Sequence, residues 1–202
     1  APVTAADNAV TFRTVVDTAA ARNGLWADFG PKPLADRPGN GLHINFSVTA
    51  ADGRDVLPAA IAGILARISD MTLFLNPKEE SYRRFGSCKA PRYISWSAEN
   101  RSQLIRVPAA EGEYRRAELR SPDALCNPYL AFALLIRAGM GGIAREAQLP
   151  PAADLNLFTA PEEVRRRYAL LPETLAAAKA AAAGSDFIKG NLPESVFKYY
   201  VN

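Results

Sequence analysis

The chain is predicted to fold as an α+β domain. Three observations lead there. Short runs that alternate apolar and polar residues lie in the middle of the chain, segments with helical spacing precede and separate them, and the last third reads as helices alone. With 202 residues, 49% hydrophobic and 22% charged, the chain has enough apolar material for one substantial core.

Each element has a local reason. Thr4 followed by Asp7 signals a helix start, and Val10, Phe12, Val15, Val16 and Ala19 continue at helical spacing to Asn23-Gly24, which can end it. Leu25 to Phe29 is expected to be a strand, and PKPLADRPGNG a loop. Leu42 to Val48 alternates strictly: Leu42, Ile44, Phe46 and Val48 take one face, His43, Asn45 and Ser47 the other. After the turn ADGRD, Leu57 to Leu75 is expected to be a helix lying across the sheet. Arg92–Ser97, Leu104–Pro108 and Tyr114–Leu119 are expected strands. Asn127 can cap, and Pro128 can start, the nearly all-apolar helix PYLAFALLIRAG, which should be buried. Beyond GMGGI, Thr159 to Glu162 matches a capping box opening a short basic helix. An alanine-rich helix from about Glu173 to Ala183 and one or two short terminal helices complete the chain.

A net charge of +3 gives no basis for a nucleic-acid or membrane partner. No signal peptide and no membrane-length apolar run is read from the sequence. Cys88 and Cys126 have no metal-type spacing and are taken as structural, which suits a reducing cytoplasm. The opening APVTAADNAV has no methionine and runs straight into a helical pattern, so the chain is expected to be a fragment, residues 1–202 of one catalytic domain.

The chemistry concentrates in Asn76 to Arg137. Eight arginines fall between Arg83 and Arg120, and the planar guanidinium fork grips phosphates and carboxylates. Arg116, Glu118 and Arg120 share one face of a strand. Spacing alone admits two readings, a plain ion-pair ladder or a metal-binding carboxylate between two phosphate clamps. His43 is the one histidine, either structural or a ligand; Asn45 and Ser47 beside it, just after a Gly-rich loop, favour a site. Paired with Glu118 it would offer nitrogen and oxygen donors to Mg²⁺ or Mn²⁺. Arg101 and Arg106 flank SQLI within expected strands, where unpaired charge is costly. Gly39-Asn40-Gly41 lacks the P-loop pattern. Arg165-Arg166-Arg167 reads as a solvated helix face.

TFRTVVDTAAARNGLWADFGPKP, GNGLHINFSV, NPKEESYRRF, APRYISWSAENRSQLIRVPA and RRAELRSPDALCNPYLAFALLIRAG together resemble the C-terminal catalytic domain of bacterial glutamine synthetase. The GLHIN form is most similar to the glutamine synthetase-like proteins of anaerobic Gram-positive bacteria. The resemblance implies an antiparallel sheet flanked by helices, as in the guanidino kinases. It implies ATP-dependent ligation of glutamate and ammonia through γ-glutamyl phosphate, with Mg²⁺ or Mn²⁺, in stacked homo-oligomeric rings in the cytoplasm. The residues that match are His43 and Glu118 for the metal near the phosphates, and Arg101 and Arg106 for the transferring phosphoryl group. Gly39, Arg84 and Arg120 match the glutamate side; Ser47 and Arg116, together with Arg106, match the nucleotide side.

Four departures accompany the match. Lys89, in SCKAP, stands where the family carries the glutamate that helps take a proton from ammonium, and a charged lysine has no acceptor to offer. Asn45 replaces the second histidine of the common pattern, and Pro38 the asparagine of the glutamate loop. Phe158 occupies the position of a tyrosine adenylylated in some relatives, and it has no hydroxyl to modify. The family's remaining glutamate ligands and its small N-terminal β-grasp domain would lie upstream of residue 1. These departures leave open a related ligase that uses another amine, or a non-catalytic role in regulation or assembly. By itself the 202-residue chain is expected to be inactive.

Overall fold

Pro2 fits the first turn of a helix, where an N–H would go unused, and helix α1 runs Pro2–Arg22. It stops at Asn23-Gly24, where Gly24 has a φ of +67°, a left-handed conformation that glycine takes at little cost. The computed structural model describes residues 1–110 and 112–202. Among α1's residues Ala6 is buried, whereas Val3, Phe12 and Val15 lie exposed. Two polar ties hold α1 in place: Arg13 Nη1 donates to the Ala124 carbonyl at 2.9 Å, and the Tyr129 hydroxyl to Asp7 at 2.6 Å.

The expected strand at Leu25–Phe29 does not form. Among the described residues they have no partner strand, and Trp26 is 80% exposed. An apolar run without a neighbouring edge leaves its backbone groups to water, and the ladder never closes. Among the described residues four short strands pair: β1 (Ile44–Phe46), β2 (Trp96–Ser97), β3 (Ile105–Arg106) and β4 (Ala117–Leu119), in the order β1-β4-β3-β2. The β1–β4 and β3–β4 pairs are antiparallel, as expected for the whole sheet, but β2 and β3 run parallel. The sheet is therefore mixed. The intervening segment 98–104 doubles back instead of forming a hairpin, so Ile105 N–H reaches the Ser95 carbonyl at 3.1 Å and Val107 N–H the Ser97 carbonyl at 2.9 Å.

The inner face of the sheet, Ile44, Ile105, Ala117 and Leu119, is buried against helices. Chief among these is α2 (Leu57–Leu75), whose Ile68, Met71 and Phe74 are fully enclosed. Contrary to the sequence reading, α2 is long and apolar enough to cross a membrane by length and composition; here it is the core helix and mostly buried. Helix α3 (Pro128–Ala144) packs across it. Asn127 caps α3 as expected, its side chain accepting from Tyr129 N–H at 3.0 Å and Leu130 N–H at 3.4 Å. Asn127→Ala should cost about 1 kcal/mol in a denaturant titration.

Helix α3 does not end at GMGGI. It continues through Gly139, Gly141 and Gly142; Gly139 and Gly142 let α2 approach, while Gly141 faces Arg145. Helices α4 (Glu162–Arg165), α5 (Leu175–Gly184), α6 (Asp186–Asn191) and α7 (Glu194–Val201) close the domain. The expected capping box before α4 is absent: Pro161 holds the cap position, and the Thr159 hydroxyl turns back to the Asn156 carbonyl at 3.4 Å.

The two cysteines differ. Cys126 is fully buried, and burial first, then the nearby Asp123 charge, pushes its thiol up to about 12. Cys88 is exposed, in a turn with φ +56°. A thiol reagent at neutral pH should therefore label one cysteine of the folded chain quickly, and Cys88→Ser should abolish that fast phase. A fast phase that survives the substitution would contradict this burial pattern.

Candidate functional site

Strand β4 builds the site. Its period of two sends Ala117 and Leu119 into the core and Glu118 to the opposite face. The register then sets Asn45 of β1 and Arg106 of β3 directly beside Glu118. His43 stands one residue before β1, on the same face as Asn45, and its Nδ1 lies 2.9 Å from Glu118 Oε1. The same oxygen accepts from Arg120 Nη1 at 2.9 Å, and Oε2 from Arg106 Nη1 at 3.2 Å. One carboxylate thus gathers an imidazole and two guanidiniums.

The protonation states follow from these contacts. Burial raises the Glu118 carboxyl, but Arg120, His43 and the bonds from Arg106 and Arg120 outweigh it, so the net direction is downward and the group is ionised. Burial lowers His43, Arg120 lowers it further, and Glu118 offsets only part, so the imidazole is neutral near pH 7 and donates Nδ1–H to the carboxylate. A neutral imidazole beside an ionised carboxylate has the chemistry of a divalent-ion donor pair. They are two donors only. Among the described residues no group of three or more histidine, cysteine or acidic side chains is placed to hold a metal.

Arg84 ends a 3₁₀ helix, Glu79–Arg84, and is 3% exposed. Its Nη1 donates to the Ser121 carbonyl at 3.1 Å and to Asn76 Oδ1 at 3.4 Å, and Nη2 to the Pro122 carbonyl at 3.4 Å. Burial pulls its pKa down, with Asp123 opposing. Two glycines border it: a Cβ on Gly39 would collide with the Pro31 carbonyl oxygen and stand 2.9 Å from Arg84 Cγ, and one on Gly41 would stand 3.0 Å from Arg84 Nη2 and 3.4 Å from His43 Nε2. The glycine loop therefore presses on both Arg84 and His43. Arg120, also 3% exposed, gives its Nη2 to the Lys89 carbonyl at 3.3 Å. Arg84, Arg106 and Arg120 each keep a buried Nε–H without an acceptor among the described residues.

Ser47 lies exposed on the same outer face. His43, Asn45 and Ser47 share with the start of α1 and with Phe132 a groove of about 560 Å³. Behind Ser47 an apolar cavity of about 140 Å³ opens between Phe46, Val48 and helices α2 and α3. Two candidates stand apart from the cluster. Arg116 is exposed and bonds the Tyr114 carbonyl at 3.2 Å, and Arg101 is exposed on the 98–104 turn.

The Gly-rich loop Gly39-Asn40-Gly41, which lacks the P-loop pattern, is pinned by Asn40, its amide donating to the carbonyls of Asp28 at 3.1 Å and Gly30 at 2.9 Å. Asn76 and Asp123 around Arg84 went unnoticed. The polar residues flanking the long apolar helix and the SPD turn were the available signal.

Known proteins share this sequence and fold. The chain is 42% identical to glutamine synthetase of Methanosarcina mazei over 97% of its length, and 38% identical to that of Clostridium saccharobutylicum over 98%. It spans about half the length of these relatives, 47% and 48%. A solved structure titled GmaS/ADP complex superposes with a TM-score of 0.85 and 29% identity, over 96% of this chain and 49% of that one. A structure titled apo GmaS without ligand gives 0.82 and 28%, over 98% and 49%. The model of the glutamine synthetase catalytic domain matches residues 1–202. The chain belongs to the glutamine synthetase catalytic-domain family.

Proposed function

We propose that the full-length protein ligates glutamate to ammonia at the expense of ATP, through γ-glutamyl phosphate. The observation that carries this is the Glu118 cluster: one ionised carboxylate, one neutral imidazole and two guanidiniums within hydrogen-bond distance, with further N–H groups unused. A plain ion-pair ladder accounts for Glu118, Arg106 and Arg120. It leaves the histidine and the unused donors unexplained.

His43 and Glu118 would hold Mg²⁺ or Mn²⁺, with further donors from elsewhere in the full-length protein. When bound, the ion neutralises charge on the phosphates and orients them. Arg106 supplies a pre-placed positive charge to the equatorial oxygens of the transferring phosphoryl group, and Arg101 does the same if its turn closes over the site. Arg120 and Arg84, with the backbone at Gly39, form the glutamate side, where Arg84's carbonyl bonds hold it rigid. Ser47 and Arg116 face the nucleotide, in keeping with the ADP named in the GmaS complex. Cytoplasmic homo-oligomeric rings complete the proposal. Among the described residues only His43 and Glu118 are placed together as metal donors, so the 202-residue chain is expected to lack synthetase activity alone.

A second reading is ligation of glutamate to another amine. Asn45 and Lys89 favour it, since Asn45 lies beside Glu118 and the Lys89 backbone bonds Arg120, so both altered positions border the cluster. The deciding assay is phosphate release by the full-length protein with glutamate present, across ammonium and a panel of amines. Release with ammonium supports the first reading and release with amines only the second. Release with none leaves a non-catalytic role in regulation or assembly.

A further inference from the structure

Of the arginine run at the end of α4, Arg166 and Arg167 are exposed, as the sequence predicts, but Arg165 is half-buried. Residues 168–171 lie antiparallel against 92–94: Ile94 N–H donates to the Ala169 carbonyl at 2.8 Å, Leu171 N–H to the Arg92 carbonyl at 2.9 Å, and Tyr93 bridges Leu170. This pairing brings Arg92 to the end of α4. Arg92, Arg165 and Arg166 then line one cavity of about 420 Å³ together with Tyr93, Tyr168 and Glu162. That volume falls within the range of small-molecule sites.

The charges there do not balance. Arg166 pairs with Glu162 within the helix turn, Nε to Oε1 at 3.0 Å, and Arg92 pairs with Glu173. Arg165 has no ion pair among the described residues, and its Nε–H is buried without an acceptor. The two carboxylates are held by exposed pairs of little strength, so an incoming anion can compete for both guanidiniums. Two tyrosine rings complete the wall and offer a flat apolar surface beside the charge.

We propose that this cavity binds a phosphate-bearing small molecule, with Arg165 as the principal fork and Arg92 and Arg166 as flanking donors. A phosphate dianion offers paired acceptors to the Nη side of the Arg165 guanidinium, which lines the cavity, in a bidentate way; the buried Nε–H stays out of its reach. The site is separate from the Glu118 cluster and its existence does not depend on the proposed ligase activity. Its floor does touch the neighbouring turn: a Cβ on Gly86 would stand 3.1 Å from Arg92 Cδ, and that turn carries the Lys89 carbonyl that Arg120 grips.

The test is isothermal titration of the full-length protein with phenyl phosphate and, separately, inorganic phosphate, in an Arg106→Gln background that weakens phosphate binding at the Glu118 cluster. Saturable binding is expected, tighter for phenyl phosphate if the tyrosine wall contributes, and weakening as salt rises. Arg165→Gln should weaken it about tenfold or more, and Arg165→Lys, which keeps the charge but not the fork, several-fold. Equal affinity for the two probes would remove the tyrosines from the proposal. Absence of saturable binding in the Arg106→Gln background, or binding unweakened in Arg165→Lys, would overturn the site itself.

Discussion

Glu118→Ala is expected to destabilise the folded chain by about 3–5 kcal/mol, the usual cost of removing one partner from a buried charge pair. For a chain of this length that lowers the melting temperature by roughly 10 °C. The reason is what remains. Arg120 is 3% exposed and loses the acceptor of its Nη1 bond, and its Nε–H already has none. Arg106 is more open, its side chain 26% exposed, so water compensates it better and most of the loss lies at Arg120. Glu118→Gln keeps a carbonyl oxygen for one hydrogen bond while removing the charge, and should cost less than alanine. Adding Arg120→Met to Glu118→Ala should recover part of the loss, because the stranded charge is then gone. A double variant no more stable than Glu118→Ala would mean that packing, not charge, sets the cost. A Glu118→Ala melting point within a degree of wild type would remove the cluster from any account of stability.

That cluster was legible in the sequence because two periodicities meet in it. Strict alternation over Leu42–Val48 assigns His43 to the polar face, and the spacing of Arg116, Glu118 and Arg120 assigns all three to one face of a strand. Where chain direction decides, the signal fails. No local feature says that β2 and β3 run parallel, because the reversal lies in the geometry of a seven-residue loop, 98–104. Nor does spacing tell how far along a shared face a side chain reaches. Arg116 has the right parity and still ends in solvent. Local signals that compete also mislead. Thr159 and Glu162 match a capping box, but Pro161 fixes the backbone there and the hydroxyl bonds backward. Arg165 looks solvated from its neighbours in sequence, and what turns its Nε inward is a strand-like pairing with residues more than seventy positions earlier.

Glycines in α3 make the same point, and their substitution separates two effects of opposite sign. Glycine read from sequence is a helix breaker, and glycine to alanine in a helix interior gains about 1 kcal/mol from propensity alone. Gly139→Ala should realise that gain, since its Cβ would sit 3.6 Å from Ala60 Cβ, an ordinary contact. Gly142→Ala should do the opposite. Its Cβ would collide with the Ala59 carbonyl and lie 2.7 Å from the Gly63 Cα, both of them backbone atoms of α2 that cannot rotate away. The helices must separate, and their interface carries the enclosed Ile61, Ile64 and Leu134. Overpacking against side chains costs 1–3 kcal/mol, and backbone contact belongs at or above the upper end, so about 3 kcal/mol outweighs the propensity gain. Urea titrations of the two variants should therefore move in opposite directions from wild type. If both stabilise, α2 and α3 are not in backbone contact at Gly63 and Gly142. The sheet that presents His43 and Glu118 would then need a different support, because Ile44 and Leu119 rest on this same helical layer.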